Sequence, residues 1–184
     1  MKIQYLGLDI GGAHIKVVGL NATRQIVLVK YMKCYFWNKS EDFLTFVKQI
    51  NKYINKQTLI GITMTAELCD SFKTRKQGFD VVSRYCKELK NDFFFYSLGK
   101  SPFIKKAEYK NVVSMNWHAI GSYVSKKISN CIIIDFGSTT TDLICIKNNK
   151  VINVHFDDFS RLNNLELLYS GLVRTPIFSI SNEV

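Results

Sequence analysis

Two short stretches combine residue types suited to chemistry on phosphates. Asp9-Ile10-Gly11-Gly12 and Asp135-Phe136-Gly137-Ser138 each place an aspartate two residues before a glycine, with an apolar run on either side. A tight turn of glycines and small hydroxyl residues lets backbone N–H groups approach a phosphate closely, where a Cβ would intrude. The aspartate ending the strand before each turn offers a carboxylate that can hold Mg²⁺ directly or through its waters. Gly11, Gly12 and Ala13 make the first loop, with Lys16 within reach of a phosphate oxygen; Gly137, Ser138, Thr139 and Thr140 make the second. A single Asp-x-Gly turn also serves an ordinary hairpin. A pair of them, opposed across one cleft, would grip a polyphosphate from both sides, with Mg²⁺ at Asp9 and Asp135 offsetting the charge that develops as a phosphoryl group is transferred.

Such turns need strands before and after them, and the hydrophobic pattern supplies these. Residues 3–10, 13–20 and 25–33 read as a strand meander. Ser40, followed by Glu41 and Asp42, reads as a helix N-cap, with Phe43, Phe46, Val47, Ile50 and Ile54 at helical spacing after it. A buried strand over 58–64, a helix over 76–90 and a strand over 92–98 complete a βββαβαβ order, which predicts a mixed sheet with right-handed crossovers. Residues 99–110 read as a linker and Ser114 to about Ile128 as a helix with Trp117, Ile120, Tyr123 or Val124, and Ile128 as its stripe. A second meander follows over 131–136, 139–147 and 150–156, with Asn148-Asn149 as a type I′ turn. The division expected is therefore a first lobe over 1–99, a linker and connecting helix over 100–129, and an incomplete second lobe over 130–184.

Composition narrows the function classes. With 184 residues and 47% hydrophobic content, the chain has enough apolar material for one domain or two small lobes. No run approaches the roughly 20 unbroken apolar residues of a membrane span, and Asp9 with its glycines interrupts the N-terminal run where a signal sequence would continue. The expectation is a soluble cytoplasmic protein without a membrane partner. Five cysteines, none in a CxxC pair, signal neither a disulfide framework nor a zinc site. The net charge of +10 comes from 25 basic residues scattered in nothing longer than a pair, which argues against nucleic acid as a partner.

Other side chains have both a chemical and a bland reading. Glu67 and Asp70 follow a buried strand whose end would open onto the cleft, where either can act as general base or hold a substrate amine; both also suit helix or turn caps. Asn116 and His118 flank Trp117 at the start of a helix, and Arg174 precedes Thr175 and Pro176 near the end of the chain. Arg174 can fork onto a carboxylate or phosphate, or be a surface arginine.

The stretches LGLDIGGAHIK and IIIDFGSTTTDL resemble the two phosphate motifs of the actin, chaperone ATPase and sugar-kinase superfamily. With Gly61 to Asp70, Arg75 to Gly78, Asn116 to Ala119 and Tyr169 to Pro176, the chain is similar, along nearly its whole length, to hydantoinase/oxoprolinase-type proteins linked to tetrahydromethanopterin-dependent one-carbon transfer and methanofuran biosynthesis. The resemblance implies an α/β actin-like ATPase (ribonuclease H-like) fold, one complete lobe plus an incomplete second one. It implies ATP and Mg²⁺ as cofactors, a small-molecule substrate, and an amide bond made or hydrolysed through a phosphorylated carbonyl, with Asp9, Glu67 and Asp135 catalytic. Relatives continue past the last matching motif, so a separate C-terminal chain or a homo-oligomer is the partner expected. A non-catalytic remnant or nucleotide-binding module, and a small-molecule kinase, are the alternative functions.

Overall fold

Alternation of apolar and small or polar residues along the first seventy positions produces a sheet with one buried face. In the computed structural model, which describes residues 2–34, 41–98, 102–105 and 108–179, β1 (Tyr5–Ile10), β2 (His14–Leu20) and β3 (Ile26–Lys33) form an antiparallel meander. β4 (Leu59–Met64) lies parallel to β1, β5 (Phe93–Tyr96) parallel to β4, and β6 (Phe103–Ile104) antiparallel to β5, in the order β3-β2-β1-β4-β5-β6. α1 (Glu41–Ile50) and α2 (Arg75–Cys86) make the crossovers. Leu6, Leu8, Ile10, Ile15, Val17, Ile60, Ile62 and Met64 point to one side and share a core with Phe43, Phe46, Val47 and Ile50 of α1 and Val82 and Cys86 of α2. Each fully buried side chain of this size contributes about 1.5–3 kcal/mol of apolar burial.

α2 begins where Thr74, in extended conformation, accepts a hydrogen bond from Gln77 N. The N-cap expected at Ser40 lies outside the described residues.

The chain divides into two compact units, Met1–Asn116 and Trp117–Val184. The stretch read as a linker contains β6 and the start of α3 (Tyr109–Val112), both in the first unit. Phe103 is the reason β6 stays on the sheet: its ring covers Gly61, where an added Cβ would come within 3.0 Å of Phe103 Cε1, and it packs edge-on to Tyr96.

α4 (Asn116–Val124) is shorter than the helix expected over Ser114 to Ile128. Ser114 has φ of 53°, which a helical residue does not adopt. The stripe also differs. Trp117, Gly121 and Ser125 are buried, whereas Ile120, Tyr123 and Ile128 are exposed, because Gly121 sits directly on Ile144 and Val151.

In the second unit β7 (Cys131–Phe136) and β8 (Thr141–Lys147) pair antiparallel, β9 (Lys150–Val151) pairs β8, and β10 (Leu167–Leu168) flanks β8, giving a partial sheet. Asn148 and Asn149 both have positive φ, as a type I′ turn requires. β9 stops well short of residue 156 because the side chain of Asn153 takes over the pairing: its Oδ1 accepts from Cys145 N at 2.7 Å and its Nδ2 donates to Leu143 O at 3.0 Å. α5 (Asp158–Asn163), absent from the sequence reading, is capped by Asp157, which accepts from Ser160 N.

Candidate phosphate-binding hairpins

The two glycine turns are built alike. Gly11 N donates to His14 O at 2.9 Å, and Gly137 N donates to Thr140 O at 2.8 Å. A Cβ on either glycine would lie 2.9 Å from that same carbonyl oxygen, so both positions exclude a side chain for the same reason. Counting outward from each turn, Asp9 pairs across the ladder with Lys16 and Asp135 with Asp142.

The side chains at these paired positions differ in charge. In the first unit Lys16 Nζ lies 3.0 Å from Asp9 Oδ2, and Thr63 Oγ1 donates to Asp9 Oδ1 at 3.2 Å, so the carboxylate is oriented from both sides while staying partly exposed. The loop beyond rests on the segment after β4. A Cβ on Gly12 would meet Cys69 Sγ at 2.6 Å, and Cys34 N donates to Ala13 O at 3.0 Å.

Glu67 lies in the 3-10 turn Ala66–Leu68 at the end of β4, with its side chain buried. Ser114 Oγ donates to Glu67 Oε1 at 2.9 Å, Arg75 Nη2 donates to Ser114 Oγ at 2.7 Å, and Arg75 Nη2 stands 4.0 Å from Glu67 Oε1. Gly78 lets α2 approach this turn closely, since a Cβ there would be 2.7 Å from Glu67 Cα. Asp70 is exposed on the loop that leads to α2.

In the second unit Asp142 is buried against Arg161, whose Nη1 donates to Asp142 Oδ1 at 2.7 Å and whose Nη2 donates to Glu166 O at 3.0 Å. The guanidinium lies 3.9 Å over the Trp117 ring, and Glu166 Oε1 lies 3.1 Å from His155 Nδ1. Burial raises the pKa of the Asp142 carboxyl above its ordinary value, and Arg161 pulls it back down. Sequence reasoning missed both residues. Asp142 was within reach of it, because counting hairpin register from Asp135 lands there; Arg161 carries no comparable signal.

The segment after β10 folds over the second turn. Leu172 N donates to Gly137 O at 3.0 Å, Val173 N and Arg174 N donate to Ser138 O at 3.0 and 2.9 Å, and Arg174 Nη2 donates to Thr139 Oγ1 at 3.2 Å. Gly171 allows this, since a Cβ there would lie 2.4 Å from Thr139 N. Arg174 is thus brought to Ser138 and Thr139 from 35 residues away.

Asn116 and His118 occupy the first turn of α4. His118 packs edge-on to Trp117 and Phe156, and burial lowers its pKa.

The sequence model of the hydantoinase/oxoprolinase family matches residues 59–175. A protein of Methanocaldococcus jannaschii described as (4-{4-[2-(gamma-L-glutamylamino)ethyl]phenoxymethyl}furan-2-yl)methanamine synthase is 32% identical over 191 residues, covering 100% of this chain and 56% of that protein. A Methanococcus vannielii protein of the same description is 48% identical over 63 residues, or 34% of this chain and 28% of its own. Among solved structures, the Aquifex aeolicus member of the Ppx/GppA family superposes with a TM-score of 0.52 at 12% identity, covering 92% of this chain and 52% of that one. The fold is that of the actin-like ATPases, and the chain spans about half the length of the first relative it matches.

Proposed function

The chain belongs to the hydantoinase/oxoprolinase family, and we propose that it carries the phosphate-handling part of an ATP-dependent enzyme that makes or breaks an amide bond in methanofuran biosynthesis. The observation that carries this reading is the repeat at atomic detail: two turns closed by the same Gly N–H to carbonyl bond, each with an aspartate two residues upstream. Closing the hairpin uses the N–H of Gly11 and of Gly137. The donors offered to phosphate oxygens are then those of Gly12 and Ala13 in one loop, and of Ser138 and Thr139 in the other.

The residues suit a polyphosphate with Mg²⁺. Asp9 keeps a partly exposed carboxylate oriented by Lys16 and Thr63, and Mg²⁺ is usually held by one or two carboxylates together with substrate phosphates. Asp9 in the first unit and Asp135 in the second each offer a carboxylate to such an ion, which when bound would neutralise charge on the transferring phosphoryl group. Lys16 would exchange its contact with Asp9 for a phosphate oxygen, and Arg174, beside Thr139, would pair an oxyanion of nucleotide or substrate. Glu67, tied to Ser114 and Arg75, would hold the loop that presents Asp70, whose exposed carboxylate would take the substrate amine or its proton. Turnover would also draw on what corresponds to the part of the Methanocaldococcus jannaschii relative that this chain does not span.

A second reading is favoured by the product named for the relatives, which contains a phenoxymethyl ether besides its γ-glutamyl amide. Forming that ether needs a methylene bearing a good leaving group, and a phosphate grip serves a departing phosphate as well as a phosphorylated carbonyl.

Calorimetric titration of the full chain separates these readings. Mg-ATP is expected to bind once per chain, and Asp9→Asn and Asp135→Asn are each expected to weaken it by about tenfold, the loss of one charge-assisted contact. Binding of inorganic diphosphate with none of ATP would favour the second reading. Absence of binding by either, or binding that ignores both substitutions, would remove the hairpins from phosphate chemistry altogether.

A further inference from the structure

A hydrogen bond that fixes a backbone carbonyl also fixes the N–H of the same peptide unit, because the two point in opposite directions across a trans peptide plane. No peptide bond among the described residues is cis. In the second turn two successive carbonyls are held by one segment. Gly137 O accepts from Leu172 N, and Ser138 O accepts from both Val173 N and Arg174 N. These carbonyls share their peptide planes with the N–H groups of Ser138 and Thr139. Both N–H groups therefore face away from residues 171–174, side by side, and among the described residues neither meets an acceptor. Adjacent N–H groups turned to one side form a concavity suited to an anion.

The segment is held by this attachment and hardly by its side chains, since Leu172 and Val173 are 76% and 74% exposed. Gly171 rests on the Ser138–Thr139 peptide, where an added Cβ would come within 2.4 Å of Thr139 N and 2.5 Å of Ser138 C. Thr141 Oγ1 donates to Ser170 O at 2.5 Å, and Gly171 N donates to Thr175 Oγ1 at 3.3 Å, so the segment is tied at both ends. The first turn is held differently. Cys34 N donates to Ala13 O, which fixes the peptide unit after the loop donors of Gly12 and Ala13 and not their own.

We propose that residues 171–174 are a positioning strap for the second phosphate loop: they turn the Ser138 and Thr139 N–H groups toward a bound oxyanion, and the strap is itself held more tightly when an oxyanion is bound. The inference rests on the reading of the hairpins as phosphate-binding and adds the element that prepares one of them. An anion accepting from these two N–H groups polarises the same peptide units, which makes their carbonyls better acceptors for the N–H groups of Leu172, Val173 and Arg174. Strap and anion are therefore coupled, and the coupling is reciprocal. The same attachment delivers the Arg174 guanidinium to the turn, where Nη2 donates to Thr139 Oγ1 at 3.2 Å.

The test is calorimetric titration of the full chain with Mg-ATP and with inorganic diphosphate, followed by backbone hydrogen exchange with and without whichever of them the wild-type chain binds. The amides of Leu172, Val173 and Arg174 are expected to exchange at least about fivefold more slowly in the bound chain, the low end of a coupling between two sites. Leu172→Pro removes the donor to Gly137 O and is expected to weaken binding by at least about fivefold. Leu172→Ala keeps that N–H, removes only an exposed side chain and is expected to bind as the wild type does. Where the proline variant fails to fold, the exchange of the wild-type strap decides alone. Strap exchange that ignores a bound ligand, or a folded Leu172→Pro chain with wild-type affinity and only a lower urea midpoint, overturns the strap's role and leaves the hairpin reading intact. A wild-type chain that binds neither ligand overturns the hairpin reading, and the strap's role with it.

Discussion

Gly78 and Gly171 sit where one stretch of backbone lies on another, and the two contacts do different work. At Gly78 an added Cβ would meet Glu67 Cα at 2.7 Å and Glu67 O at 2.8 Å, atoms that move only if the turn after β4 moves. Gly78→Ala is therefore expected to cost about 1–3 kcal/mol, read as a lower urea midpoint with unchanged slope. Gly7→Ala is the control, because its Cβ would find nothing nearer than 3.8 Å. A comparable loss there would show that the cost is not steric.

Two histidines have lowered pKa values and so contribute to the fall of stability in acid. Burial holds His118 below the ordinary value of 6.5, so the unfolded chain takes up the proton more readily than the folded one. Its contribution is fully present above about pH 6.5 and is lost as pH falls through the lowered value. His14 shifts the same way, through burial first and then Lys33 and Lys16. The urea midpoint is expected to fall between pH 7.5 and pH 5, with His118→Gln removing part of that fall and His14→Gln with His118→Gln removing more. An unchanged slope in the double variant would assign the acid sensitivity to other groups.

At the scale of elements, α5 is short, and its attachment depends on Arg161. This arginine reaches Asp142 on β8, the carbonyl of Glu166 before β10, and the ring of Trp117 on α4. Removing it strands a buried carboxylate, so Arg161→Ala is expected to cost about 3–5 kcal/mol. Asp142→Asn added to it is expected to cost less than the two single changes summed, because the second substitution removes the stranded charge. Additive losses in urea unfolding would mean that the two side chains act independently. The segment over Ser138 is a second such attachment. Gly171→Ala would drive a Cβ to 2.4 Å from Thr139 N, and is expected to speed protease cleavage between Leu172 and Pro176, measured by mass spectrometry.

For the whole molecule, the boundary at Asn116 makes a prediction about fragments. Ending the first unit at Leu98 removes Phe103 from Gly61, Ser114 from Glu67, and the parallel bridge between Val113 and Met64. A fragment over 1–116 is expected to unfold cooperatively on heating, and a fragment over 1–98 to melt at least several degrees lower or without cooperativity, since a loss of 1 kcal/mol alone shifts Tm by about 4–8 °C in a domain of this size. Equal melting of the two would make the 102–116 segment dispensable.

Local pattern in the sequence was sufficient for the first strand meander, the β7–β8 hairpin, both crossover helices and the two glycine turns, because alternation, helical spacing and Asp-x-Gly punctuation are properties of neighbouring residues. The same locality explains the errors. Nothing near Asn153 announces that its side chain will replace a strand, and of the expected stripe Trp117 is buried while Ile120, Tyr123 and Ile128 give way to Gly121 and Ser125 because Ile144 and Val151 lie against Gly121. Arg174 on Thr139, Ser114 on Glu67 and Arg161 on Asp142 join residues 35, 47 and 19 positions apart, and no pattern read along a chain encodes such distances. By itself the sequence determined the turns and the residue types they carry. Tertiary packing decided which charges meet those turns, because a buried carboxylate takes whichever donor the fold brings within reach.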